Sequence, residues 1–156
     1  MHENAIAGKV VDAAYQVHKR LGPGLLESIY TAALEVELSR KGLDYRTEVR
    51  VPVVYDGISL NLSFRVDLIV ENSVLVEVKA VEARARVHRR QVLTYLRLTG
   101  LRLGLLVNFG LSTIKEGLSR VVNNLTDEDL TESPKGYREA SGSRASGAAK
   151  GSREAG

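Results

Sequence analysis

A chain of 156 residues, 44% hydrophobic and 26% charged, is long enough to bury one sizeable core and too short for a second. It has no cysteine, which excludes disulfide staples, zinc knuckles and thiol nucleophiles, and its net charge of +3 permits a polyanionic partner without demanding one. No apolar run approaches the ~20 residues that span a bilayer, and the polar start MHENAIAGK lacks a signal peptide's apolar segment, so a cytoplasmic protein with no membrane partner is expected.

Ile6, Val10, Ala13, Ala14, Val17 and Leu21 recur at helical spacing and stop at Gly22-Pro23-Gly24, which predicts an amphipathic helix with a sharp end. In LLESIYTAALEVELSRKG, Leu26, Ile29, Ala33 and Val36 predict the inward face of a second helix, capped at Lys41-Gly42 and forming a hairpin with the first. Val49, Val51, Val53 and Tyr55 alternate, Asp56-Gly57 turns the chain, and Leu60, Leu62, Phe64, Val66, Leu68 and Val70 alternate on the way back. That pattern throws Arg65 and Asp67 onto the face opposite the apolar set. After Glu71-Asn72-Ser73 a third strand follows in VLVEVKA.

ARVHRRQVLTYLRLTG reads as a helix with Val87, Val92, Tyr95 and Leu96 inward, and RLGLLVNFG as a continuous apolar strand, buried and parallel. A last helix is expected from Ile114 to Val122. The order ααβββαβα implies an α/β fold, a mixed sheet with helices on both faces, in which the Arg-rich helix makes a right-handed crossover. The domain is expected over 1–126. The segment 127–156 is small, polar and nonperiodic, and reads as a flexible, disordered tail. The tail holds five Lys/Arg and six Asp/Glu, so the basic excess belongs to the domain.

Chemistry concentrates on two strands. A period of two places Leu75, Glu77 and Lys79 on one face while Val74, Val76 and Val78 fill the other, and Asp67 lies on the neighbouring strand. Phosphodiester hydrolysis needs a divalent ion, an activated water and positive charge for the crowded transition state. Asp67 and Glu77 could share a hard ion such as magnesium, and Lys79 could hold the scissile phosphate or lower the pKa of the attacking water. The plainer account is a solvated sheet face on which Glu and Lys neutralise each other.

Glu27 could border the site from the second helix, or serve only as an N-terminal acid favoured by the helix dipole. Gln91 and Tyr95, four apart on one helical face, could order a water or a phosphate, or form a half-buried polar pair. Arg84, Arg86, Arg89 and Arg90 cluster after Lys79; a solvated helix face is the plain account, but because the cluster abuts the motif in sequence it is expected to bind nucleic-acid phosphates. His88 lies three before Gln91 on the same face, while His18 fits a structural role better. Aromatic residues are sparse, which disfavours a base-stacking platform.

GPGLLESIY, with Gly24, Glu27 and Tyr30, resembles the motif that names the GxxExxY family, a RecB-like branch of the PD-(D/E)xK nuclease superfamily. The resemblance continues through the Asp67 strand, Glu77-Val78-Lys79, VHRRQVLTYL and GLLVNFG, covering roughly residues 5 to 124. It implies a restriction-endonuclease-like mixed four-stranded sheet flanked by helices. It also implies metal ligation by Asp67, Glu77 and the Val78 carbonyl, a catalytic Lys79, and Glu27 as a further acidic site residue that can reach the metal. Gln91 and Tyr95 match the Gln-x-x-x-Tyr element of the RecB-type branch. One departure is that Val66, not proline, precedes Asp67.

The expected function is therefore a Mg²⁺- or Mn²⁺-dependent nuclease acting on DNA, with RNA as the second candidate and a homodimer as one arrangement that cuts both strands. The alternative is a catalytically silent nucleic-acid-binding or protein-interaction module on the same fold. A sugar hydrolase with paired carboxylates would leave Lys79 without a role.

Overall fold

The computed structural model describes residues 2–83 and 86–123. Helices α1 (Glu3–Leu21) and α2 (Glu27–Arg40) form the expected hairpin. The face predicted for α1 is buried from Ile6 to Val17, while Leu21 is exposed. The face predicted for α2 is not the one buried. Tyr30, Leu34 and Leu38 point inward, whereas Leu26, Ile29 and Val36 are exposed. This helix carries apolar residues all round, so spacing does not choose its orientation. Tyr30 decides it, because its ring stacks on Phe109 at 4.6 Å between centroids and its hydroxyl links the Gly22 carbonyl to the Leu25 amide.

Five strands follow the order β1 (Tyr45–Tyr55), β2 (Ile58–Val70), β3 (Val74–Lys79), β4 (Leu103–Asn108) and β5 (Leu118–Val122), both along the chain and across the sheet. Only β3 and β4 are parallel, joined through α3 (Arg86–Thr99). The other neighbours are antiparallel. Asp56 and Gly57, at φ 49° and 74°, close the first hairpin as a two-residue turn that needs positive φ at both positions.

The fifth strand replaces most of the helix expected from Ile114 to Val122. Helix α4 (Ile114–Gly117) lasts one turn, and Leu118 to Val122 then pair with Val107 to Leu103. Without β5, the buried strand β4 would leave a row of amides and carbonyls unpaired, a cost that outweighs local helical spacing. The α/β class and the helices on both faces stand, with the order extended to ααβββαβαβ.

Two apolar layers sandwich the sheet. On one face α1 and α2 cover Leu68, Val70, Val74, Val76, Val78, Leu105 and Val107. On the other, α3 brings Val92, Tyr95 and Leu96 against Val66, Ile69, Leu75 and Leu106. Val87, expected inward on α3, is exposed.

The uninterrupted alternation expected along β2 breaks at Asp67. Val66 packs under α3 but Leu68 packs under α1 and α2, and in β1 the residue across from Asp67, Glu48, adopts φ 50°. A β-branched-free residue in the left-handed region costs about 1 kcal/mol or more and is found where irregularity re-aims a neighbour. Beyond that point β2 has left β3, whose ladder with it runs only from Val70↔Val74 to Leu68↔Val76. The remainder of the β1–β2 hairpin therefore projects as an arm.

Candidate active site

The break at Asp67 sets up the site. Where the β2–β3 ladder ends, the Val78 amide would lack a partner, and Asp67 Oδ2 accepts it at 2.8 Å. The carboxylate is thereby held against β3, beside Glu77. Glu77 is only 3% exposed, and its Oε2 is buried without a hydrogen-bond partner among the described residues. Burial, and then the adjoining Asp67 carboxylate, push the Glu77 pKa up to about 9, with Lys79 pulling the other way.

Lys79 is half-buried at the end of β3, in register with Asn108. Its strand end is clamped by a residue that sequence reasoning did not single out. Asn108, 5% exposed, accepts the amides of Val81 at 3.0 Å and Gly110 at 2.9 Å through one oxygen, while Phe109 N–H donates to the Lys79 carbonyl at 2.8 Å. A Cβ on Gly110 would lie 2.3 Å from the Val81 carbonyl oxygen, so glycine is required for this approach. The sequence signal was present in VNFG, an amide and a glycine flanking an aromatic at a strand end, but spacing does not show what they hold.

Glu27 opens α2 at the rim of the site. Its pKa is raised by lost hydration, lowered by Lys79 and raised by Asp67, which places it within electrostatic reach of both. The motif around it has a structural explanation. Gly24 at φ 97° turns the chain, the Tyr30 hydroxyl ties down the loop, and Glu27 is presented three residues before that anchor.

From the opposite face α3 contributes Gln91, whose Nε2 donates to the Tyr95 hydroxyl at 2.7 Å. Tyr95 is buried, and its pKa is raised by burial and by the charge of Glu77. With its oxygen accepting from Gln91, the hydroxyl proton is free to point elsewhere. His88 is held toward its neutral form by burial and by Lys79.

Arg86, His88 and Arg89 line a cavity of about 400 Å³ with Asn108 and Glu116, alongside the Lys79 strand end. Arg90 is exposed on α3. Arg84, like the tail from 127 onward, lies outside the described residues.

The structure thus gathers Glu27, Asp67, Glu77, Lys79, Gln91 and Tyr95 around one end of the sheet. Among the described residues no three His, Asp or Glu side chains converge as a ready-made metal cage. What the fold assembles is the Asp67–Glu77 pair with Glu27 at its margin. Two carboxylates pressed together, one bearing a buried and unpartnered oxygen, form a seat that a proton or a cation must neutralise. The donor set fits a hard divalent ion.

No described helix is long and apolar enough to cross a membrane. No curated protein and no solved structure matches the chain significantly. A family model does match, over residues 4–121, and it describes the PD-(D/E)XK nuclease superfamily. That span runs from α1 into β5 and contains the strand acids, the lysine and the helical Gln-Tyr pair, so the chain belongs to the PD-(D/E)XK nuclease superfamily.

Proposed function

We propose that the protein is a metal-dependent nuclease of the GxxExxY, RecB-like kind that hydrolyses phosphodiester bonds of DNA. The observation that carries this reading is the buried, partnerless Oε2 of Glu77 beside Asp67, with Lys79 on the same face two residues on. A structural Glu–Lys pair would be solvated or would satisfy itself, whereas this carboxyl group is buried beside a second one, with burial pushing its pKa up.

Asp67, Glu77 and the Val78 carbonyl would hold the ion, magnesium or manganese, which supplies polarisation of the phosphoryl oxygen and a more acidic water. The residues themselves do the rest. Lys79 places a positive charge where the pentacoordinate phosphate becomes more anionic. Glu27, at the rim with a raised pKa, would take a proton from an approaching water. Tyr95, oriented by Gln91, offers its hydroxyl proton to a phosphate oxygen or to Glu77. Arg86 and Arg89 attract the phosphates that flank the scissile one. Since the described residues form one such site, cutting both strands of a duplex would call for a homodimer or for two encounters.

The test is incubation of the purified chain with linear, nicked, single-stranded and branched DNA, and with RNA, in magnesium or manganese. Cleavage that Lys79→Ala lowers by about 10²-fold or more is expected. Absence of cleavage across the panel, with binding retained, would instead identify a silent binding module.

A further inference from the structure

We propose that the β1–β2 arm carries a second phosphate contact, in which Arg50 and Arg65 grip the backbone of a nucleic acid away from the bond being cut. The proposal rests on the nuclease reading for the identity of the polyanion, but its geometry stands apart from the metal seat. Arg50 and Arg65 are directly opposite each other in the antiparallel register. Cross-strand neighbours have Cβ atoms about 5 Å apart, and like charges there are destabilising. Both residues are exposed, and among the described residues neither forms an ion pair. Among the described residues, the side-chain hydrogen bond of the pair is Arg50 Nε donating to Ser63 Oγ at 3.0 Å, which aligns a guanidinium without neutralising it.

A protein that needed this hairpin only for folding would gain by replacing either arginine. The pair makes sense if an anion sits between them. It borders an open cleft of about 370 Å³ lined by Glu48, Arg50, Ser63, Phe64 and Arg65, large enough for a phosphate with part of its sugar.

The arm is placed to feed the catalytic centre. Beyond Leu68 it has left β3, so it stands as a wall past the strand end that bears Lys79. Arg65 is two residues from Asp67. The next register pair, Val51↔Phe64, faces the other way, and there the Phe64 ring meets Tyr95 at 5.6 Å between centroids. Phe64, which also lines the cleft, thus connects the arm to the residue that Gln91 orients.

The experiment compares the wild-type chain with Arg50→Gln/Arg65→Gln and Arg50→Lys/Arg65→Lys. Binding of a fluorescent duplex of ~20 base pairs is followed by anisotropy in EDTA over a salt series. Each phosphate neutralised contributes about 0.9 to the slope of log K against log salt. The glutamine variant should lose about one unit of slope, near tenfold in affinity at ~0.1 M salt, and the lysine variant should keep most of the slope. Removing the like-charge pair should leave Tm unchanged or raise it.

Bis(p-nitrophenyl) phosphate, too small to span arm and metal seat, should be hydrolysed equally by all three proteins in manganese. An unchanged slope in the glutamine variant, or a slope lost only together with Tm, overturns the clamp. The same slope loss on heparin but not on the duplex reassigns the arm to another polyanion and also overturns it. If wild-type protein hydrolyses neither the small diester nor DNA but shows the slope change, the nuclease reading fails while the clamp stands.

Discussion

Replacing Glu77 by glutamine should stabilise the metal-free protein at alkaline pH and abolish its response to divalent cations. In the unfolded chain this carboxyl titrates near 4.5, and in the folded protein burial and Asp67 push it up to about 9. Between those values the unfolded state has lost a proton that the native state retains, so stability must fall as pH rises, by up to ~1.4 kcal/mol per pH unit. The contribution is whole below pH ~4.5 and is lost through pH ~9.

Glutamine keeps the shape, donates to Asp67 where the protonated acid did, and cannot ionise. Urea denaturation in EDTA at pH 5 to 8 should therefore show a steeper decline for wild type than for Glu77→Gln. The difference between the two curves isolates this group, because other titrations are common to both. Calorimetry should further show that manganese binding to wild type at about pH 7 releases close to one proton, and that the variant neither binds nor releases. Parallel stability profiles for the two proteins would refute the claim that the buried carboxyl is held neutral.

Lys79→Ala should lower cleavage by about 10²-fold or more while manganese binding persists, since the charge it removes acts on the phosphate. Retained cleavage would take the lysine out of the chemistry. Tyr30→Phe should cost about 1–2 kcal/mol in denaturant unfolding, because the Gly22 carbonyl and Leu25 amide lose their shared partner while the Phe109 stack survives. Asn108→Ala leaves the Val81 and Gly110 amides without their acceptor; we expect a loss of about 2–3 kcal/mol, and a fall in kcat larger than any change in KM as Lys79 loses its clamp.

How much was legible depended on the range of the interaction involved. α1 declared its face because its apolar residues form one stripe, and β4 declared itself buried because it is apolar on both sides. The pairing of Glu77 with Lys79 followed from strand period alone. The face of α2 was misread because Tyr30, a polar-tipped ring, outcompetes Leu26 and Ile29 through a stack on Phe109 and a loop it must tie down. The helix expected at Ile114 to Val122 became mostly strand because β4 needed a neighbour, a demand written nowhere in that segment.

The sequence by itself determined the residue types and their local order: acids and a lysine on adjacent strands, a Gln-Tyr pair one turn apart, a glycine turn ahead of Glu27. Strand and helix periods are properties of neighbouring residues, so these features survive any packing. Tertiary structure alone decided that they meet. The alternation breaks at Asp67 opposite the left-handed Glu48, the β2–β3 ladder ends there, the unpaired Val78 amide captures Asp67, and Glu77 is closed over without a partner among the described residues. Each is a consequence of which backbone groups remain unsatisfied once the sheet is assembled, and that is settled only between strands.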